Sequence, residues 1–264
     1  MKLSGKIVWI TGASSGIGEA TAYEMAKQGA KLILSSNQEK ELEEVKDKCI
    51  KIGAPCYSIF FDLTDSESIP SKVNEAVSKF GTINILFNNG GISQRATTLE
   101  TPIDVDRKIM EINYFGGIQL TKHILPIFIN NGGGQIAVNT SIAGKFGFPL
   151  RSAYCASKHA LYGFYETVRA EMVKHNVKVT FICPGRVRTS ISVNALTKEG
   201  KPHGKMDEGQ DTGVKVEKAA KQIVKAIKNQ KREKLIGGKE LLMVYIKKYL
   251  PWIFYKIVHK IKPT

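Results

Sequence analysis

Thr11-Gly12-Ala13-Ser14-Ser15-Gly16-Ile17-Gly18 is the stretch on which the reading of this chain turns. It follows a β-branched run at 6–11 and opens a segment of helical period at 16–29, so it predicts a strand, a tight turn and a helix in immediate succession. Three glycines spaced G-x-x-x-G-x-G bare the backbone at the helix N-terminus, where free N–H groups and the helix dipole attract a pyrophosphate. Gly12, Ser14, Ser15, Gly16, Ile17 and Gly18 are therefore candidate phosphate-turn residues. A glycine-rich turn with no ligand would look the same in isolation, so the rest of the chain has to decide.

Outward from that turn the pattern repeats. Short apolar runs at 31–35, 56–61, 83–88, 135–141, 177–183 and 233–237 read as strands. Segments of helical period lie between them at 39–53, 66–80, 105–130, 152–175 and 216–229, several closing on a glycine such as Gly29, Gly53 or Gly81. Strands that are apolar throughout, as 83–87 nearly is, suit a parallel sheet covered on both faces. The expectation is an α/β fold with one doubly wound parallel sheet, a single Rossmann-type domain over 1–238. Residues 186–214, rich in Gly and charge, read as a flexible lid inserted after a strand's C-terminal end. Residues 239–264 read as a basic amphipathic tail.

Composition narrows the function classes. The chain has 264 residues, 42% hydrophobic and 24% charged, which excludes a disordered or collagenous protein. Its net charge of +15 invites a nucleic-acid reading, but residues 198–264 hold 17 Lys or Arg against 7 Asp or Glu and so carry +10 of it. In that tail the basic residues alternate with Leu, Ile, Trp, Phe and Tyr, a composition that fits an anionic lipid surface at least as well as a phosphate groove. No nucleic acid is expected. The cysteines at 49, 56, 155 and 183 lack zinc spacing and disulfide density, and the five histidines show no metal pairing, so no metal is expected. Free thiols and the direct run from Met1 into a strand predict a cytoplasmic protein, with peripheral membrane contact as an option.

Tyr154 and Lys158 are four apart, so on a helix they share a face, and a neighbouring ammonium favours the phenolate. A phenol so placed can exchange a proton with a substrate oxygen. Ser141, at a strand end, can hydrogen-bond that oxygen. Asn113, in the longest helix, can equally cap a kink. Taken with the phosphate turn, with Asp62-Leu63, with Asn88-Asn89-Gly90-Gly91 and with Pro184-Gly185, the chain resembles the short-chain dehydrogenase/reductase (SDR) family from about Leu3 to Gly237. The resemblance implies hydride exchange between a nicotinamide cofactor and an alcohol or carbonyl, with Tyr154 as acid/base, Ser141 and Tyr154 on the substrate and Asn113 supporting a proton relay. It also implies that Lys158 holds the nicotinamide ribose. By the same resemblance Asp62 meets the adenine, beside Leu63; Asn89 and Gly90 line the adenosine ribose; Pro184, Gly185, the backbone of Val187 and the Thr189 hydroxyl flank the nicotinamide. From chemistry alone, Asp62 can instead cap the following helix.

Cofactor choice rests on Leu34-Ser35-Ser36-Asn37-Gln38, which offers no acid for a ribose 2′-OH. That favours NADP(H), with Ser36, Asn37 and Lys40 as 2′-phosphate partners, and leaves NAD(H) open. Asn88 to Arg95, Tyr154 to Leu161 and the tail's Leu241-Leu242, Tyr245 and Pro251-Trp252 are similar to the member seven branch of the family. That branch implies membrane association and a lipophilic carbonyl or alcohol substrate, and the family implies a homodimer or homotetramer. The stretch 241–262 is too broken by Lys247, Lys248 and Pro251 to span a bilayer. It can lie along one, or pack over the substrate pocket or a second subunit. The alternative from another class is a non-catalytic dinucleotide-binding scaffold or redox sensor attached to membrane by the tail.

Overall fold

The computed structural model describes residues 1–261; residues 262–264, the end of the tail stretch, lie outside the described residues. Seven parallel strands form one sheet in the order β3-β2-β1-β4-β5-β6-β7. They are β1 (Ile7–Thr11), β2 (Lys31–Ser36), β3 (Cys56–Phe60), β4 (Ile85–Asn88), β5 (Gly134–Asn139), β6 (Val177–Pro184) and β7 (Glu233–Ile236). Helices α1 (Gly16–Ala26), α2 (Glu39–Lys51), α3 (Ile69–Phe80), α4 (Ile103–Met110), α5 (Gly116–Asn130) and α6 (Ser152–Glu171) alternate with the first strands. A short α7 (Glu208–Asp211) precedes α8 (Val216–Lys228), and α9 (Leu242–Tyr249) and α10 (Pro251–Ile257) follow the last strand.

The period of two along a strand divides the core. Val8 and Ile10 of β1 face one layer, with Met25 of α1, Leu42 of α2 and Ile223 of α8. Ile7 and Trp9 face the other, with Val73 of α3, Leu120 of α5 and Tyr165 of α6. Both faces are covered, which is why β1 is buried at every residue. Chain order reverses at β1, which pairs with β2 on one side and β4 on the other. In an open α/β sheet the crevice beyond such a switch point receives the ligand.

Three of the departures from the sequence reading have a visible local cause or bear on the site. The helix expected at 66–80 begins at Ile69, because Asp65 and Ser68 make local side-chain bonds to the backbone that hold the preceding turn. The strand expected to reach residue 141 ends at Asn139, and Ser141 instead caps a short 3₁₀ turn by accepting from Ala143 N at 3.1 Å. The long helix expected at 105–130 is two helices joined by a π-helical turn at Glu111–Phe115. Gly81 closes α3 in the left-handed conformation, φ +80°, as the sequence expects of a glycine C-cap.

The segment 186–214 crosses the C-terminal edge of the sheet, tied by a Val187–Val214 bridge and a Gln94–Leu196 bridge. The tail folds back: Phe254 is 2% exposed and meets Phe146 edge-on at 5.3 Å, in a cluster with Ile142 and Cys183. Pro251 opens α10, where its missing N–H costs nothing. Among the described residues no helix is long and apolar enough to cross a membrane.

Candidate active site

The glycine turn is bound to the loop after β4 by one side chain. Thr11, the last residue of β1, accepts at its hydroxyl from the N–H groups of Asn89 and Gly90, both at 3.0 Å. Asn89 returns the contact, its amide donating to the carbonyls of Thr11 and Gly12 at 3.0 Å. Space here is too small for side chains. A Cβ on Gly18 would lie 2.1 Å from Gly12 O, and one on Gly12, at φ +59°, would lie 2.7 Å from Gly90 Cα. The bare turn therefore faces a cavity of about 440 Å³ that also reaches Asp62 and Leu63.

Asp62 does not cap a helix. Its carboxylate accepts from the Thr64 N–H and hydroxyl at 2.8 Å and from the Asn37 amide at 2.7 Å. Burial pushes its pKa up, but these hydrogen bonds outweigh burial and hold the group below its ordinary range. Ser14 bonds Ser36 at 2.8 Å and donates to Gln38 at 2.9 Å, giving a polar rim beside Asn37. Asp62 is the one charged side chain lining this cavity among the described residues.

A second cavity of about 520 Å³ shares Ile17, Asn89, Gly91, Asn139, Thr189 and Ile191 with the first, so the two form one groove. Ser141, Tyr154 and Lys158 lie together on its wall. The Ser141 hydroxyl donates to the Pro184 carbonyl at 3.3 Å and lies near enough to the Tyr154 phenol to favour its charged form. Lys158 donates to the Asn139 carbonyl at 3.0 Å, with its nitrogen 5.7 Å from the Tyr154 ring centre. Pro184 and Gly185, which end β6, line the same cavity, as do Val187 and Thr189. The carbonyl of Val187 is taken by the Gln210 amide. The Thr189 methyl would lie 3.3 Å from a Cβ on Gly16, so this residue stands over the phosphate turn.

Asn113 is less exposed to the cavity than the sequence implies. Its amide pairs with the backbone of Ile92 like one strand residue with another, accepting from N at 2.8 Å and donating to O at 2.9 Å, and it donates to Ser157 at 3.0 Å. Ser157 in turn donates to the Tyr154 carbonyl at 2.8 Å. The π turn supplies the extra residue that rotates Asn113 inward for these bonds. Gly91 stands between: a Cβ there would lie 2.9 Å from Asn113 Oδ1 and 3.5 Å from Lys158 Nζ.

Burial and several neighbouring groups set the protonation balance of Tyr154. Burial, the largest influence, raises the Tyr154 pKa; the Ser141 hydroxyl and then the guanidiniums of Arg151 and Arg95 pull it back. Burial lowers the pKa of Lys158 to about 8, so beside Tyr154 it is still mainly an ammonium at neutral pH.

Sequence reasoning passed over Gln94, Arg95, Arg151, Ser157 and Asp207. Gln94 is wholly buried and accepts from Ala153 N at 2.9 Å and Tyr154 N at 3.4 Å, capping α6 from another loop. Arg95 pairs with Asp207, and Arg151 donates to the same carboxylate at 3.0 Å. Their separation in sequence, up to 112 residues, left no local signal.

Together the fold, the phosphate turn and the Ser–Tyr–Lys wall define an oxidoreductase of the short-chain dehydrogenase type. The match of residues 6–200 to the short chain dehydrogenase family model agrees, and the chain belongs to the short-chain dehydrogenase/reductase family, acting on CH–OH groups. Among its relatives is the dehydrogenase/reductase SDR family protein 7-like of Anopheles gambiae, 41% identical over 99% of this chain and 86% of the relative. The SDR family member 7B of Xenopus tropicalis is 38% identical over 97% of this chain and 85% of its own. In three dimensions an SDR from Burkholderia phymatum in complex with NAD superposes with a TM-score of 0.86 over 100% of this chain and 98% of that one, at 23% identity.

Proposed function

We propose that this protein interconverts an alcohol and a carbonyl on a lipophilic substrate, using a nicotinamide dinucleotide and favouring NADP(H). The observation that carries the reading is the single groove in which a glycine-bared turn runs into a wall of Ser141, Tyr154 and Lys158. The turn, Asn89, Gly90 and Asp62 would hold the adenosine half and pyrophosphate, and Lys158, Thr189 and Pro184-Gly185 the nicotinamide half. When bound, the dinucleotide supplies or accepts the hydride at the substrate carbon.

In the reducing direction Tyr154 gives its phenol proton to the substrate oxygen, and the Ser141 hydroxyl donates a second bond to that oxygen and holds it in line. A raised phenol pKa keeps Tyr154 protonated at neutral pH, which suits the donor role. Asn113 acts by fixing Ile92 and, through Ser157, the backbone of Tyr154. Ile142, Phe146, Phe148, Met243 and Ile261 line the substrate side, which favours an apolar molecule. The 186–214 segment serves as the lid of the 1–238 domain.

The end of β2 supports NADP(H): it presents Ser36 and Asn37 and no acid. Titration with NADPH and with NADH, followed by nicotinamide fluorescence on the native chain and on Asn37→Arg, tests this. Tighter NADPH binding that Asn37→Arg strengthens is expected; NADH preferred by both would reverse the cofactor choice. Failure to bind either would overturn the dehydrogenase reading, whereas binding without turnover across a broad panel of carbonyls would favour the scaffold reading. Turnover of ketones and aldehydes should fall roughly 10²–10⁴-fold in Tyr154→Phe.

A second reading concerns the 239–264 tail. Tyr245, Tyr249, Trp252 and Tyr255 remain exposed beside Lys248 and Lys256 although Phe254 is buried, which supports peripheral contact with an anionic membrane. Cosedimentation with phosphatidylserine vesicles, lost at high salt, is expected; no sedimentation at low salt would remove it. A homodimer or homotetramer belongs to the same proposal and is read by analytical ultracentrifugation.

A further inference from the structure

Helix α6 carries both Tyr154 and Lys158, and Tyr154 is only its third residue. The N–H groups of a first turn have no partner inside their own helix. The preceding residue, Arg151, is a cation with no side-chain acceptor to offer them. The acceptor comes instead from the loop after β4. Gln94, wholly buried, accepts at Oε1 from Ala153 N at 2.9 Å and Tyr154 N at 3.4 Å. Its Nε2 donates to Thr101 Oγ1 at 2.9 Å and to Ser152 Oγ at 3.3 Å. Two accepted and two donated bonds use the amide fully, and a buried amide so satisfied is fixed in one orientation.

The backbone of Gln94 is fixed from the other side. Leu196 of the 186–214 segment pairs with it in parallel, donating to Ser93 O at 2.9 Å and accepting from Arg95 N at 2.8 Å. Leu196 belongs to a small hairpin: it bridges Pro202, while Thr197 N donates to Lys201 O at 2.9 Å and His203 N to Ala195 O at 2.8 Å. Its side chain shares a buried cluster with Ala153 of α6 and with Val105 and Ile109 of α4. Ser93 and Arg95 line the cavity with Tyr154, and Gln94 between them does not. The alternation of an extended chain thus turns Gln94 away from the substrate and towards the helix.

We infer that Gln94 is a positioning residue that transmits the pairing of the 186–214 segment to the first turn of α6, so that Tyr154 is in place when that segment is paired along residues 93–95. The inference rests on Tyr154 being the acid/base. A tilt of the first turn would carry the phenol off the line of the substrate oxygen, and small misplacements of a reacting group are costly. Gln94 touches neither substrate nor dinucleotide, so its effect falls on the chemical step rather than on binding.

The test compares Gln94→Met, which keeps the length of the side chain and removes its hydrogen bonds, with Gln94→Glu, which keeps an acceptor where the helix dipole favours a carboxylate. Gln94→Met should lower kcat for carbonyl reduction roughly 10- to 100-fold. Its KM, and its dinucleotide affinity read by nicotinamide fluorescence, should stay within about twofold of native. Gln94→Glu should recover most of the rate. Leu196→Ala should also lower kcat, and combining it with Gln94→Met should cost little beyond Gln94→Met alone, because one residue acts through the other. Hydrogen exchange supplies a readout that needs no turnover: peptides covering 152–155 should exchange roughly tenfold faster in Gln94→Met and in Leu196→Ala, with β1 and β4 unchanged. Leu196→Ala, away from the amide, decides the matter even where Gln94→Met does not fold. Native exchange at 152–155 in either variant, a Gln94→Glu rate no better than that of Gln94→Met, or losses that multiply in the double variant would each overturn the inference. Faster exchange in a protein that reduces no carbonyl would keep the coupling and sink the oxidoreductase reading; turnover with unmoved exchange and kcat would do the reverse.

Discussion

Lys158 Nζ donates to the Asn139 carbonyl at 3.0 Å and lies 5.7 Å from the centre of the Tyr154 ring. The same burial that places it there lowers its pKa from 10.5 to about 8. The unfolded chain therefore holds more protons than the folded one between about pH 8 and 10.5, so stability rises with pH across that window and the full cost of the buried ammonium falls below pH 8. Lys158→Met should accordingly stabilise the unliganded protein at pH 7 by about 2–3 kcal/mol while removing activity. Urea denaturation at both ends of the window reads this; a gap as large at pH 10.5 as at pH 7 would count against it.

Gly18 of the phosphate turn and Gly90 of the facing loop should respond differently to one methyl group. On Gly18 it meets backbone, Gly12 O at 2.1 Å, so Gly18→Ala should destabilise by about 1–3 kcal/mol and weaken dinucleotide binding at least roughly tenfold. On Gly90 it meets the end of the Leu63 side chain at 2.6 Å, which can turn aside. Gly90→Ala should therefore bind within about threefold of native. Calorimetric titration distinguishes the pair, and equal losses would contradict the backbone argument.

Asn113→Ala removes three side-chain bonds and strands the Ile92 N–H. A loss of about 2–4 kcal/mol is expected, with kcat falling because Ile92 and the Ser157–Tyr154 contact shift together. Thermal melting and single-turnover kinetics report the two effects; an intact melting temperature would show that the π turn does not depend on Asn113.

Phe254 fastens the tail beneath Phe146 and Ile142. Phe254→Ala should cost about 3–4 kcal/mol of local packing and free 239–261 for limited proteolysis ahead of the sheet. If the variant resists cleavage as the native chain does, the tail is held by other contacts.

Much of this was legible beforehand, for identifiable reasons. The turn at 11–18, the period-two and period-3.6 runs and the i, i+4 spacing of Tyr154 and Lys158 are local patterns, so the sheet, its helices and the Tyr–Lys pair could be placed without coordinates, while Ser141 was joined to them by the family resemblance. Asn113 was legible as a residue but not as a contact. A π turn leaves almost no mark on periodicity, and only the strand-like pairing with Ile92 shows what the extra residue is for.

By itself, then, the sequence determined a doubly wound α/β chain with a bare phosphate turn and a tyrosine, lysine and serine in family order, because hydrophobic period and glycine geometry act over a few residues. Tertiary structure alone decided the electrical setting of that tyrosine. Burial raised its pKa and lowered that of Lys158 beside it, and the fold brought Arg95, Arg151 and Asp207 together from far along the chain. Desolvation and charge pairing depend on what surrounds a group in space, and neither is written in the spacing of its neighbours.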